Sequence, residues 1–174
     1  MIICLDTHVL IWGIRGQAER GQEVMIGRTR ILLEALAERA KANQIVVPAP
    51  VIGEFLIGVE EERHPETLAE LSTRFMVVPY DSAAAAHAAA HWRRLNGGRA
   101  LSEEVRLSVK NATRQEIKVD TQIIGIALAR KVDLVYSGDP HLRTLAQGRV
   151  RIENIPEALQ QLELRETRAP FTSS

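Results

Sequence analysis

Short apolar runs alternate with stretches of helical periodicity along this chain. Met1–Leu5, Ile45–Val47, Met76–Val78, Leu134–Tyr136 and Val150–Ile152 are the runs. Each has the length and composition of a strand buried on both faces. Between them, apolar residues recur near helical spacing. Thr7–Ile14 carries Val9, Leu10 and Trp12, and Ile31–Asn43 carries Leu32, Ala35, Leu36 and Ala40. Pro50 opens a short helix through Ile57, as Pro does in a first turn, and Pro65–Phe75 forms another. Asp81 reads as the N-cap of an Ala-rich helix ending near Leu95, which Gly97 and Gly98 break. Asp120–Lys131, Pro140–Gln147 and Pro156–Leu162 are the remaining helices expected. The glycines and charges of Gly16–Arg30 read as a loop, and Ser102–Lys118 as charged and helical in part.

Short strands alternating with helices predict a three-layer α/β/α sandwich with a central parallel sheet. In such sheets ligands bind outside the carboxyl ends of the strands. There is no internal repeat. The expected organisation is one domain over residues 1–162, with a flexible tail over 163–174, RETRAPFTSS at its end.

Composition narrows the picture further. The chain has 174 residues, 45% of them hydrophobic, which suits one domain with a full core. Its 22 basic and 22 acidic side chains give a net charge of +0, so any attraction for nucleic acid must come from local clustering. Cys4 is the single cysteine and cannot form an internal disulfide. The N-terminus lacks signal-peptide order, and no apolar run approaches the ~18–20 residues of a membrane span. A cytoplasmic protein is expected.

Four acids stand among residues that read as core: Asp6, Glu54, Asp120 and Asp139. Three of them also suit helix caps. Asp6 precedes Thr7, Asp120 stands at the expected start of its helix, and Asp139 precedes Pro140. Glu54 resists that account, because it lies inside an apolar segment with no basic neighbour in sequence. A buried, unpaired carboxylate is costly or takes up a proton. Asp120 also has a direction: Ile123, Ile124 and Ala127 follow on the core-facing stripe. Brought together, such carboxylates are hard oxygen ligands for Mg²⁺ or Mn²⁺. A metal held there would activate water for attack on a phosphate ester.

On these residues the chain resembles a PIN-domain protein, and within that group a VapC-type toxin ribonuclease. The strand ending in Asp6-Thr7, the pair Gly53-Glu54, the Asp120 helix and Ser137-Gly138-Asp139 follow in the order of the family's motifs. The resemblance implies Mg²⁺- or Mn²⁺-dependent endonucleolytic cleavage of RNA by metal-activated water. It implies Asp6, Glu54, Asp120 and Asp139 as catalytic metal ligands, with Ser137 and Thr7 orienting them. It implies an antitoxin protein as partner, and a homodimer. His141 departs from the pattern, standing where relatives often carry an acid. A structure-specific DNA nuclease and a catalytically inactive PIN-like RNA-binding module are the alternatives.

A basic segment supplies candidate RNA contacts: Arg93, Arg94, Arg99, Arg106, Lys110, Arg114 and Lys118, opposed by Glu103, Glu104 and Glu116. A solvated helix face explains the same run equally well. Arg15, Arg28 and Arg30 are placed at the same mouth. His87 and His91, four apart, read as a polar helix face, and Trp12 and Trp92 as core or interface residues.

Overall fold

The computed structural model describes residues 1–95 and 113–157. Five parallel strands form one sheet: β1 (Ile2–Leu5), β2 (Gln44–Pro48), β3 (Met76–Val78), β4 (Leu134–Tyr136) and β5 (Ile152–Glu153). Their spatial order is β3-β2-β1-β4-β5. Ile3 pairs with Ile45 on one side and Leu134 on the other, so β1 is central. The order reverses at β1/β4, where a parallel sheet opens a crevice at its carboxyl edge.

Strand side chains alternate between two cores, as the pleat requires. Ile3, Leu5, Val47, Leu134 and Tyr136 pack on one face. There they meet α1 (Thr7–Leu10, continuing as a wider turn through Arg15), α2 (Val24–Glu38), α3 (Ala49–Ile57) and α4 (His64–Arg74). Cys4, Val46 and Val135 face the opposite way. They meet α5 (Ser82–Arg94), α6 (Arg114–Ala129) and α7 (Pro140–Ala146). The predicted α/β/α sandwich is therefore the observed one. No helix among the described residues is long and apolar enough to cross a membrane.

Several element boundaries differ from the sequence reading. The loop expected over Gly16–Arg30 ends early, because α2 begins at Val24. Gly27 weakens a helix only by about 1 kcal/mol, and here it points to open space while Thr29 and Leu32 are buried. The same helix stops at Glu38, short of Asn43, in turns that lead into β2. The helix carrying Asp120 starts six residues before it, at Arg114. Thr113 accepts from the Glu116 backbone N–H while the Glu116 carboxylate accepts from the Thr113 N–H, a reciprocal cap. Asp120 is thus mid-helix and caps nothing. Strand β5 is shifted to Ile152–Glu153, set by pairing with Val135 and Tyr136. The helix expected over Pro156–Leu162 and the 163–174 tail lie largely or wholly outside the described residues.

The polar face expected for His87 and His91 splits. His87 is exposed, but His91 is buried. Its Nε2 lies 2.7 Å from the Leu145 carbonyl and its Nδ1 3.2 Å from Arg149 Nη1, fixing α5 to the end of α7. Desolvation holds its pKa below the ordinary value, partly opposed by the Leu145 bond and aided by Arg149 and Arg94.

Helices α5 and α6 approach closely because Gly125 faces small residues. A Cβ at Gly125 would stand 2.6 Å from the Ala84 carbonyl oxygen and 2.7 Å from Ala88 Cβ. Gly125→Ala should therefore cost about 1–3 kcal/mol of stability by overpacking. Ala is the better helix former by about 1 kcal/mol, which works the other way. Urea unfolding reads the difference: the net effect is a loss of up to about 2 kcal/mol, and a raised midpoint would contradict the close packing.

Candidate active site

Every strand-end acid is placed by the sheet. Asp6 directly follows β1, and its N–H donates to the Tyr136 carbonyl at 3.1 Å, extending the ladder to β4. Its side chain is buried, at 4% exposure for the residue. Ser137 directly follows β4 and is fully buried. Its hydroxyl donates to Asp6 Oδ2 at 2.6 Å and accepts from the Asp139 N–H at 2.9 Å. One hydroxyl therefore ties the ends of β1 and β4 together at the crevice. Gly138 lies between, under the Trp12 ring; a Cβ there would come within 2.2 Å of that ring. Asp139 caps α7, its Oδ1 accepting from the His141 N–H at 2.7 Å.

The other two acids come from helices on opposite faces of the sheet. Glu54 rides on α3, half-buried, and its Oε2 accepts a short hydrogen bond from the Thr7 hydroxyl. This is the partner that the sequence around Glu54 lacks. Asp120 is half-buried on α6, with Ile123, Ile124 and Ala127 of the same stripe in the core.

All four line one cleft of about 450 Å³, together with Thr7, His8, Ile11, Ile57, Glu116 and His141. The electrostatics follow from that proximity. Burial pushes the Asp120 carboxyl up to about 8, and Asp6, Asp139, Glu54 and Glu116 add to it. Glu54 is also raised, by burial first and by Asp6; its Thr7 bond and His8 work against the rise. His8 is raised by its side-chain contact with Asp6, at 3.7 Å between Nδ1 and Oδ2, against desolvation. At that length the contact is ion-pair attraction more than a hydrogen bond.

Hard oxygen donors of one charge, half-removed from water, fit a divalent cation. Among the described residues, no group of three or more His, Cys, Asp or Glu side chains stands as a finished cage. Asp6, Glu54 and Asp139 are each bonded to their own wall of the cleft, through Ser137, Thr7 and the His141 N–H.

Glu116 is the acid that sequence reading missed. It counted only as a charge opposing the basic run. The Thr-x-x-Glu spacing from Thr113 signals a helix start there, which sets Glu116 and Asp120 one turn apart on a single face. His141 is a wall of the cleft, with a buried Nδ1 that has no hydrogen-bond partner among the described residues. Of the basic candidates whose side chains are described, Arg93, Arg94 and Lys118 are not among the cleft's lining residues. All three are exposed on α5 and α6. Arg114 opens α6, while Arg99, Arg106 and Lys110 lie outside the described residues. Arg15 lines an adjoining cleft, Arg28 pairs with Glu157 at 3.5 Å, and Arg30 lies against Gly16. Trp12 is core, and Trp92 is half-buried beside the second core.

Fold and site together define an open parallel α/β protein with a carboxylate cleft at its switch point. The PIN domain profile matches residues 3–148, and the chain belongs to that family. Solved structures agree in fold. VapBC2 from Rickettsia felis, bound to a DNA fragment from its promoter, is 16% identical with a TM-score of 0.60, covering 90% of this chain and 100% of that chain. DNA-bound VapBC from Salmonella typhimurium is 20% identical with a TM-score of 0.59, covering 90% and 99%. VapBC-1 from nontypeable Haemophilus influenzae is 16% identical with a TM-score of 0.59, covering 88% and 98%. No curated protein sequence matches the chain closely enough to count as a relative.

Asp120 carries a pH signature. An acid whose pKa rises on folding binds its proton more tightly folded than unfolded. Between its ordinary 3.8 and about 8, the folded chain keeps a proton that the unfolded chain has lost, so stability falls as pH rises through that window. In metal-free buffer Asp120→Asn should melt above the parent at pH 8 and close to it near pH 4. Each kcal/mol relieved is about 2–4 °C at this chain length. A variant that melts below the parent at pH 8 would contradict the crowding of charge around Asp120.

Proposed function

We propose that the chain is a Mg²⁺- or Mn²⁺-dependent endoribonuclease, the toxin of a toxin–antitoxin pair. The observation that carries this reading is the raised Asp120, crowded by Asp6, Asp139 and Glu54 around one cleft. Asp6, Glu54, Asp120 and Asp139 would hold the cation. When bound, it would lower the pKa of an attacking water and neutralise charge on the phosphoryl oxygens.

The chain's own residues prepare that chemistry. Ser137 holds the Asp6 carboxylate and the Asp139 backbone in one fixed relation, and Thr7 holds Glu54. Partners of this kind orient carboxylates and keep ligand geometry. Ile11, half-buried, and Ile57, exposed, form apolar margins of the cleft. RNA as the substrate draws on the exposed cations Arg93, Arg94 and Lys118, which suit phosphate contacts outside the acidic cleft. An antitoxin partner draws on the likeness to the VapBC assemblies and on the PIN domain match. Assembly as a homodimer belongs to the same reading.

The test is cleavage of structured RNA in Mg²⁺ or Mn²⁺, with flapped DNA in competition. Asp6→Asn and Asp120→Asn should each lose more than about 100-fold in rate, and Ser137→Ala about 10–100-fold, the usual cost of losing a ligand's orienting partner. Acid variants that cut as well as the parent would overturn the reading. So would a preference for flapped DNA over RNA.

A further inference from the structure

A second cleft adjoins the acidic one and shares two of its walls, His8 and Ile11. Its volume is about 340 Å³, within the span of small-molecule sites. Its chemistry differs from its neighbour's. Trp12, Arg15, Gln17 and Gln22 line it, and Glu19 is its single carboxylate among the described residues.

The lining has three parts. The first is a planar platform. His8 lies against the buried Trp12, ring centroids 5.0 Å apart and tilted by 48°. Its side chain keeps 44% exposure, so the imidazole can accept a second planar group. The second is a pair of exposed carboxamides, Gln17 and Gln22, each offering donors and an acceptor to a ring edge. The third is a fixed cation. Arg15 Nη1 donates to the Phe55 carbonyl at 3.0 Å, and the guanidinium sits 5.6 Å from the centre of the Phe55 ring. Gly58 leaves room for it, since a Cβ there would come within 1.8 Å of Arg15 Nη1.

Single-stranded RNA is recognised by stacking bases on aromatic side chains, histidine included, and by hydrogen bonds to their edges. Gln is a matched partner for a base edge, and Arg for a phosphate. The shared His8–Ile11 wall sets this cleft one step from the acids. We infer that it receives the nucleobase flanking the phosphate at the acidic cleft, with His8 stacking on the base, Gln17 and Gln22 reading its edge, and Arg15 meeting the neighbouring phosphate. The assignment rests on the ribonuclease reading for its substrate and adds the residues that would set sequence preference.

Two measurements test it. In the first, RNA oligonucleotides carry an abasic residue on one or the other side of the cleaved bond. Removing one flanking base should lower kcat/KM by about 5- to 100-fold, the worth of one stacked base. Gln17→Ala/Gln22→Ala should cut intact RNA with a weakened base preference and cut the abasic RNA as well as the parent does. Equal cleavage of intact and abasic RNA by the parent would overturn the inference. In the second, tryptophan fluorescence of the intact chain is followed with a nucleoside 5′-monophosphate and with ribose 5-phosphate. A saturable change is expected with the nucleotide alone, weakened in the Gln variant. No change, or the same change with both, would overturn it. This readout needs no cleavage, so a chain that responds yet cuts no RNA would sink the ribonuclease reading alone.

Discussion

Repulsion among carboxylates in one half-buried cleft is the constraint on which the site turns. Asp120 feels it most, raised by burial and by Asp6, Asp139 and Glu54 together. A fold with no use for that arrangement would disperse the charges or pair each with a base. Here the nearest imidazole, His8, is itself drawn toward Asp6, and hydroxyls and backbone N–H groups supply the other partners. Such partners fix Asp6, Glu54 and Asp139 in place without neutralising them by a full positive charge. On the proposed reading, a divalent cation would relieve the repulsion and use it.

The sheet makes the crowding possible. Strands β1 and β4 are parallel neighbours whose next strands, β2 and β5, lie on opposite sides of them, so their carboxyl ends open one crevice. Asp6 and Ser137-Gly138-Asp139 are the first residues beyond those ends. Trp12 packs down on Gly138, which keeps the Ser137–Asp139 turn close to the first helix. Helices from the two faces then close the cleft, α3 with Glu54 and α6 with Asp120. Core packing and site geometry are therefore one structure: the stripe that buries Ile123 and Ile124 also aims Asp120.

Most of this was legible in the chain because it rests on local rules. Apolar runs of three to five residues located every strand, and the core stripe gave Asp120 its direction. Asp139 shows that a capping residue can also line the cleft, since it caps α7 there. What escaped depended on contacts far apart in sequence or on weak punctuation. Gly27 and the surrounding charges concealed the first turns of α2, where burial by the sheet outweighs one glycine. His91 looked polar until α7 covered it. Glu54 looked partnerless because Thr7 is 47 residues away. Glu116 was hidden in a run read for its positive charge, though its spacing from Thr113 carried the signal.

The most direct test of the proposed cation site is calorimetric titration of the metal-free protein with Mn²⁺ at pH 7 in buffers of different ionisation enthalpy. With the Asp120 carboxyl near 8, most chains hold that proton at pH 7, and a cation must displace it to bind. Saturable binding with release of about one proton per chain is predicted, with both binding and release lost in Asp120→Asn. Absence of Mn²⁺ binding, or binding that releases no proton and survives that substitution, would contradict the account.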